Sequence, residues 1–189
     1  MKTVIFSHPW DKSFNKAILD NVIQKYEKEN IQYNLIDLYK DNFNPVMTAE
    51  DLELFSKGEY NDSLVGKYQE FIKQSDELVF IFPIWWSLMP AMMKGFLDKV
   101  FLKGFAYKDT EFGIKGLLEN IKSAKVITTA TSPKLFMIIL GSINWLFNFG
   151  IAKSVGIKKF KWLHISLKTE NTDEKRRNSL EKVKNFIVK

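Results

Sequence analysis

Few side chains in this chain can do covalent chemistry. It has two histidines, His8 and His164, and no cysteine. No disulfide, thiolate metal site or thiol nucleophile can therefore form. The histidines are far apart, and no carboxylate-rich set accompanies them, so a hydrolytic triad or a metal centre lacks its parts. No Gly-x-Ser-x-Gly elbow, Gly-x-Gly-x-x-Gly fingerprint or phosphate-binding Gly-x-x-x-x-Gly-Lys loop occurs. The unusual residues are flat instead. Trp85 and Trp86 stand where a polar loop is expected, directly after the apolar run Leu78 to Phe82. Such rings lose solvation unless something flat or apolar covers them. They either plug a core edge or subunit interface, or they line a ligand site.

A planar redox cofactor is the chemistry these residues can serve. A flavin asks three things of a protein. Its phosphate needs N–H groups and a hydroxyl at a helix N-terminus. Its ring needs flat or apolar cover. Its polar edge needs backbone donors, which also stabilise the reduced ring. His8-Pro9-Trp10-Asp11-Lys12-Ser13 offers the first, with Ser13 placed to cap a helix. Pro83-Ile84-Trp85-Trp86-Ser87 offers the other two.

The elements that must hold these loops follow from periodicity. Lys2 to Ser7 reads as a strand, Phe14 to Glu29 as an amphipathic helix ended by Asn30, and Ile31 to Leu38 as a second strand. Thr48 caps a short helix carrying Glu50, Asp51 and Glu53, and Ser63 to Gln74 makes another. Glu77 to Phe82 reads as a buried strand stopped by Pro83. Met89 to Phe101 is a helix with Pro90 in its first turn, and Lys94 and Asp98 make a surface pair on it. Leu102 to Gly116, with three glycines, reads as a long loop. Ala124 to Ala130 and Phe160 to Leu167 are the last strands, His164 having a structural place in the second. Thr172 caps a final helix to Val188. Strand and helix alternate over 189 residues, which suits one α/β domain over the whole chain. The architecture expected is an open five-stranded parallel sheet, order 2-1-3-4-5, with helices on both faces. In that order the loops after the first and third strands flank the binding crevice.

Several of these segments carry a resemblance. Phe82-Pro83-Ile84-Trp85-Trp86, Met89-Pro90-Ala91-Met92-Met93-Lys94-Gly95-Phe96-Leu97-Asp98-Lys99-Val100-Phe101 and Gly104-Phe105-Ala106-Tyr107 together resemble the NAD(P)H:quinone oxidoreductase family. Ser7-His8 with Ser13-Phe14-Asn15-Lys16-Ala17 is similar to that family's phosphate loop, and Asp37-Leu38-Tyr39 with Asn42-Phe43-Asn44-Pro45 to its segment after the second strand. The likeness covers residues 2–131. Thr128-Thr129 matches a Thr-Thr-Gly-Gly flavin loop, but Ala130 and Thr131 stand in place of the glycines. Residues 132–156 do not align, and the Tyr and His that assist hydride transfer in some relatives have no counterpart.

The resemblance implies a flavodoxin-like fold and a flavoenzyme, and the lack of a visible signal peptide points to the cytoplasm. Hydride would pass from NAD(P)H through flavin N5 to a quinone or similar acceptor by a ping-pong route. FMN suits the short chain, with FAD the alternative. His8, Ser13, Phe14, Asn15, Pro83, Ile84, Trp85, Trp86, Ser87, Thr128, Thr129, Ala130 and Thr131 would hold the cofactor. Trp86, Phe105 and Tyr107 would meet the acceptor, Tyr107 reaching across a homodimer. No catalytic side chain is required beyond the flavin, and no metal is expected. The alternative is a flavin-binding electron carrier, or an ancillary subunit of a membrane transporter. A carrier is expected to be acidic, whereas this chain is at +6.

That charge is spread too thinly for a nucleic-acid surface, and no reading motif occurs, so nucleic acid is not an expected partner. No signal peptide is visible. Leu135 to Ala152 is uncharged, but Ser142, Asn144 and Asn148 and its place between two strands argue for a crossover helix rather than a membrane span. One side is expected against the sheet and the other against a second subunit. Phe136, Trp145, Leu146 and Phe147 here, with Met89, Met92 and Phe96, are an apolar surplus that a two-fold dimer would cover.

Overall fold

The computed structural model describes residues 1–139, 142–168 and 172–188. Strands β1 (Lys2–Phe6), β2 (Tyr33–Asp37), β3 (Glu77–Pro83), β6 (Ser123–Ala130) and β7 (Lys159–Ser166) form a parallel sheet in the order β2-β1-β3-β6-β7. Counting only sheet strands, this is 2-1-3-4-5, with the order reversing between β1 and β3. All seven residues of β3 are buried, as expected of a strand covered on both faces. On one side, Val79 and Ile81 pack with Ile18, Leu19 and Val22 of α1 (Phe14–Lys28) and Val183 and Ile187 of α7 (Asp173–Val188). On the other, Leu78, Phe80 and Phe82 pack with Val65 and Ile72 of α3 (Ser63–Lys73) and Met93 and Phe96 of α4 (Ala91–Val100).

Local signals explain most boundaries. Ser13 Oγ accepts the Lys16 N–H and starts α1. Asn30, at φ 54°, lies just beyond its end. Thr48 and Asp51 cap one another reciprocally at the start of α2 (Ala49–Phe55). Gly95 lies so close to Pro45 that a Cβ would meet the Pro45 carbonyl oxygen at 2.3 Å, so α4 is pressed on the Asn42–Pro45 turn.

Four expectations need correction. Pro83 does not stop β3 early but is its last residue, in register with Thr129; the next N–H, of Ile84, donates to Thr129 O at 2.7 Å. Pro90 is the cap of α4, not a residue of its first turn. The stretch read as a loop contains an antiparallel hairpin, β4 (Tyr107–Thr110) and β5 (Gly113–Gly116), outside the main sheet. Leu135 to Ala152 is not a regular α-helix throughout. Its described residues are α-helical in α5 (Lys134–Ile139) and α6 (Ser142–Trp145) and then pass into a π-helix, Leu146–Lys153. There Phe147 is buried between Phe80, Phe82 and Phe160 and is no part of an exposed surplus. Phe96 is likewise in the core. No described helix is long and apolar enough to cross a membrane.

Candidate functional site

Three loops meet at the carboxyl ends of β1, β3 and β6, and each leaves backbone donors unused. Residues 7–13 lead from β1 into α1. The cap bond to Ser13 takes the Lys16 N–H, while none of the described hydrogen bonds uses those of Phe14 or Asn15. The first turn of α1 carries no acid, whereas those of α2 and α7 hold Glu50 and Asp51, and Asp173 and Glu174. As in α3 and α4, no acidic side chain of the first turn meets the positive end of this 15-residue helix. His8 Nδ1 accepts the Trp10 N–H at 3.1 Å, which braces this loop. Its ring stands edge-on to Trp85, centroids 6.2 Å apart.

After β3 the chain makes a tight turn. Trp85 and Leu88 exchange both backbone hydrogen bonds at 3.0 Å. Trp86 (φ 50°) and Ser87 (φ 63°) between them are both left-handed, as a type I′ turn requires. Neither is a residue that adopts this cheaply, so strain is stored here. Neither N–H is used in a described hydrogen bond. Trp86 is 99% exposed and Trp85 and Trp10 are also exposed, so no core edge is being plugged.

After β6 the carbonyls of Ala130, Thr131 and Ser132 accept from Leu167 N (2.7 Å), Ser166 Oγ (3.2 Å) and His164 Nε2 (3.0 Å). The N–H groups of Thr131 and Ser132 are used by no described bond. Neither Ala130 nor Thr131 is among the positive-φ residues, so their Cβ atoms cause no backbone strain where glycines were expected. Thr129 Oγ1 accepts from Asn15 Nδ2 at 2.8 Å and ties this loop to α1. The Thr128 hydroxyl is committed to Trp162 and His164.

The predicted cofactor residues lie around the carboxyl ends of β1, β3 and β6, but Thr128 and Thr129 are fully buried in β6, and the Thr128 hydroxyl is turned to β7 and away from a ligand. Phe105 and Tyr107 lie elsewhere in the chain's own architecture, half-buried against its core near the start of the hairpin. Phe112, at the hairpin tip and 93% exposed, was missed; only an isolated apolar residue next to a glycine marked it. A cavity of about 550 Å³ between α1 and α7 is lined by Gln24, Lys25, Glu27, Lys28, Glu181 and Lys184. It sits at the far end of α1 from the three loops.

The residues fit a flavin. Asn15 Oδ1 and Ser7 Oγ are buried without a hydrogen-bond partner beside the α1 N-terminus, and the free donors come in consecutive pairs. Among the described residues no group of three or more His, Cys, Asp or Glu is placed to hold a metal ion.

The fold and this loop arrangement define a flavodoxin-type α/β protein. A family model for the flavodoxin-like fold matches residues 2–187, and the chain belongs to that family. An uncharacterised NAD(P)H oxidoreductase of Haemophilus influenzae is 32% identical over 170 residues, 86% of this chain and 84% of that protein. An NAD(P)H:quinone oxidoreductase from Methanothermobacter marburgensis superposes with TM-score 0.84 at 25% identity, covering 97% of this chain and 95% of that one. An FMN-dependent NADH-azoreductase from Bacillus anthracis, solved with FMN, shares the fold (TM-score 0.76, 17% identity, 97% and 95% covered). The quinone dehydrogenase of Rattus norvegicus and the ribosyldihydronicotinamide dehydrogenase of Mus musculus are longer, and the chain spans 64% of each.

Proposed function

We propose that the chain is a flavin-dependent NAD(P)H oxidoreductase that reduces a quinone or similar acceptor by a ping-pong route, with FMN as its cofactor. The observation that carries this is the convergence of three loops with unused consecutive N–H groups beside exposed indoles. A bound flavin would supply the hydride acceptor and donor, at N5. The α1 N-terminus and Ser13 would take its phosphate. Trp86 and Ser87 N–H, and those of Thr131 and Ser132, would face its polar edge, where positioned donors favour the reduced form. Trp85 and Trp86 would cover the ring and exclude water. Relatives named as NAD(P)H oxidoreductases support the reading. The purified protein should bind FMN at micromolar concentration or tighter and oxidise NAD(P)H with a quinone. Absence of flavin absorbance after reconstitution would end this reading; flavin bound without turnover would favour an electron carrier or ancillary subunit.

The homodimer belongs to the same proposal. Leu135 (68% exposed), Ile139 (73%) and Trp145 (63%), with Phe136, Ile138, Leu146 and Phe149, leave an apolar surface that a second subunit would cover. The crevice is open on a single chain, and Tyr107 with Phe112 would close the partner's. Light scattering should give about twice the 22.1 kDa chain mass. An active monomer would refute the shared site.

A further inference from the structure

We propose that Trp162, Thr128 and His164 form a positioning chain that fixes the loop from Thr129 to Ser132, so that the N–H groups no described bond uses face the crevice. This rests on the flavin reading only for its consequence, not for its geometry. The chain has one direction. Trp162 Nε1–H can only donate, and it gives its hydrogen to Thr128 Oγ1 at 2.9 Å. Ser132 O can only accept, so His164 Nε2, 3.0 Å away, must carry the ring hydrogen. The neutral ring then has a bare Nδ1, which accepts the Thr128 O–H at 3.0 Å. Every donor and acceptor is used once, and the tautomer is set by the partners.

Peptide geometry turns this anchor into an orientation. In a trans peptide the C=O of one residue and the N–H of the next point in opposite directions. The Ala130 and Thr131 carbonyls are tied to Leu167 and Ser166 at the end of β7. The N–H groups of Thr131 and Ser132 must therefore point away from β7, towards β3. The Ser132 carbonyl, the third tie, is the one His164 makes, and Pro133 after it has no N–H to present. The loop has no glycine, and two of its three ties are side chains of β7, Ser166 and His164, the third being the backbone N–H of Leu167 just beyond that strand.

The surroundings keep the ring neutral. His164 lines a cavity of about 240 Å³ with Pro133, Leu163, Ile165, Ser166, Ser179 and the two lysines Lys134 and Lys182. Lys134 also lies over the Trp162 ring, 5.6 Å from its centroid. Burial holds the imidazole below its ordinary pKa; the bond to Ser132 works against this and the Lys134 charge adds to it. No acid lines the cavity. Protonation would place a hydrogen on Nδ1 and leave the Thr128 hydroxyl without its acceptor.

The test uses the full chain with His164→Ala, His164→Gln and Thr128→Val. Glutamine keeps a donor near the Nε2 position, and valine removes one hydroxyl at nearly constant shape. In flavin-free protein, exchange of the strand-paired Thr129 and Ala130 amides, read in a peptide spanning Thr129 to Lys134, should quicken about tenfold in His164→Ala, the cost of one buried hydrogen bond. Peptides from β1 and β3 should be unchanged, and His164→Gln should restore the wild-type rate. FMN affinity should fall about tenfold in His164→Ala and stay within about threefold in His164→Gln. Wild-type affinity should weaken from pH 7 to pH 5 by more than that of His164→Gln, in which the phosphate and His8 still titrate. If His164→Ala does not fold, Thr128→Val must show the same local quickening, to a smaller degree. Unchanged exchange, or uniform quickening across all peptides, would overturn the proposal and leave His164 an ordinary core residue. If wild-type protein binds no FMN, the flavin reading fails, and exchange alone decides the positioning claim.

Discussion

The two ends of the sheet use their polar groups in opposite ways. At the amino end the groups are turned on one another. The Lys2 ammonium meets Asp76 at 3.2 Å, with the chain's own amino group beside the same carboxylate. Buried Lys125 pairs with buried Glu77 at 3.0 Å and donates to Ile187 O at 2.7 Å, holding the end of α7. Ser123 Oγ gives Glu77 a further hydrogen bond at 2.5 Å. At the carboxyl end, donors come in unused pairs, indoles lie in water, and two residues are left-handed without being glycine. One end is closed by its own charges. The other leaves its indoles to solvent and its loop donors outside every described hydrogen bond.

The comparison can be broken from either side. The largest effect should follow Lys125→Met, which leaves the buried Glu77 carboxylate with only the Lys2 ammonium, 3.8 Å away. Breaking one half of such a pair costs about 3–5 kcal/mol. Urea unfolding should show this loss while FMN affinity stays near wild type; equal damage to both would mean the two ends are not independent. Ser13→Ala should weaken FMN binding by about 1–2 kcal/mol, the loss of one hydrogen bond and a helix cap. Unchanged affinity would show that Ser13 does not meet the phosphate.

Trp86→Gly tests the stored strain with opposite signs. The indole is fully exposed, so little packing is lost, and glycine adopts the left-handed turn freely. Stability should rise by about 1 kcal/mol while flavin affinity and acceptor reduction fall. A loss of stability would mean the turn is not strained. The smallest effect concerns Asp51, outside both ends. Burial alone would raise its carboxyl, but bonds from Thr48 and the Lys99 ammonium, 3.2 Å away, together hold it below its ordinary value. Its contribution is therefore fully present above the ordinary carboxylate range and is lost as pH falls through the lowered value. Thermal midpoints should decline there, and less so in Asp51→Asn.

Much of this was legible in the sequence because burial writes itself into composition. The unbroken apolar run of β3, the Thr48 cap and Ser13 before an amphipathic stretch gave the strand order and two of the three loops. The hairpin was not legible. Tyr107 to Thr110 and Gly113 to Gly116 lie mostly in water, so no alternation marked them as strands. The Trp86–Ser87 turn lacked the Asn-Gly signal of its type. The link from Trp162 and His164 to Thr128 joins strands far apart in the chain, and a buried histidine on a strand reads as packing until its partners are seen.

The sheet order also sets a schedule for synthesis. β1, β2 and β3 can pair as soon as Pro83 has left the ribosome, with β1 between its two neighbours. The other edge of β3 pairs only with β6, which is made after α4 and the whole hairpin. Until then the growing chain carries an apolar, unpaired strand edge, a template for joining the wrong partner. Chains stalled before Ser123 should accordingly recruit chaperones or aggregate, and chains released after Ser166, with β6 and β7 added, should not.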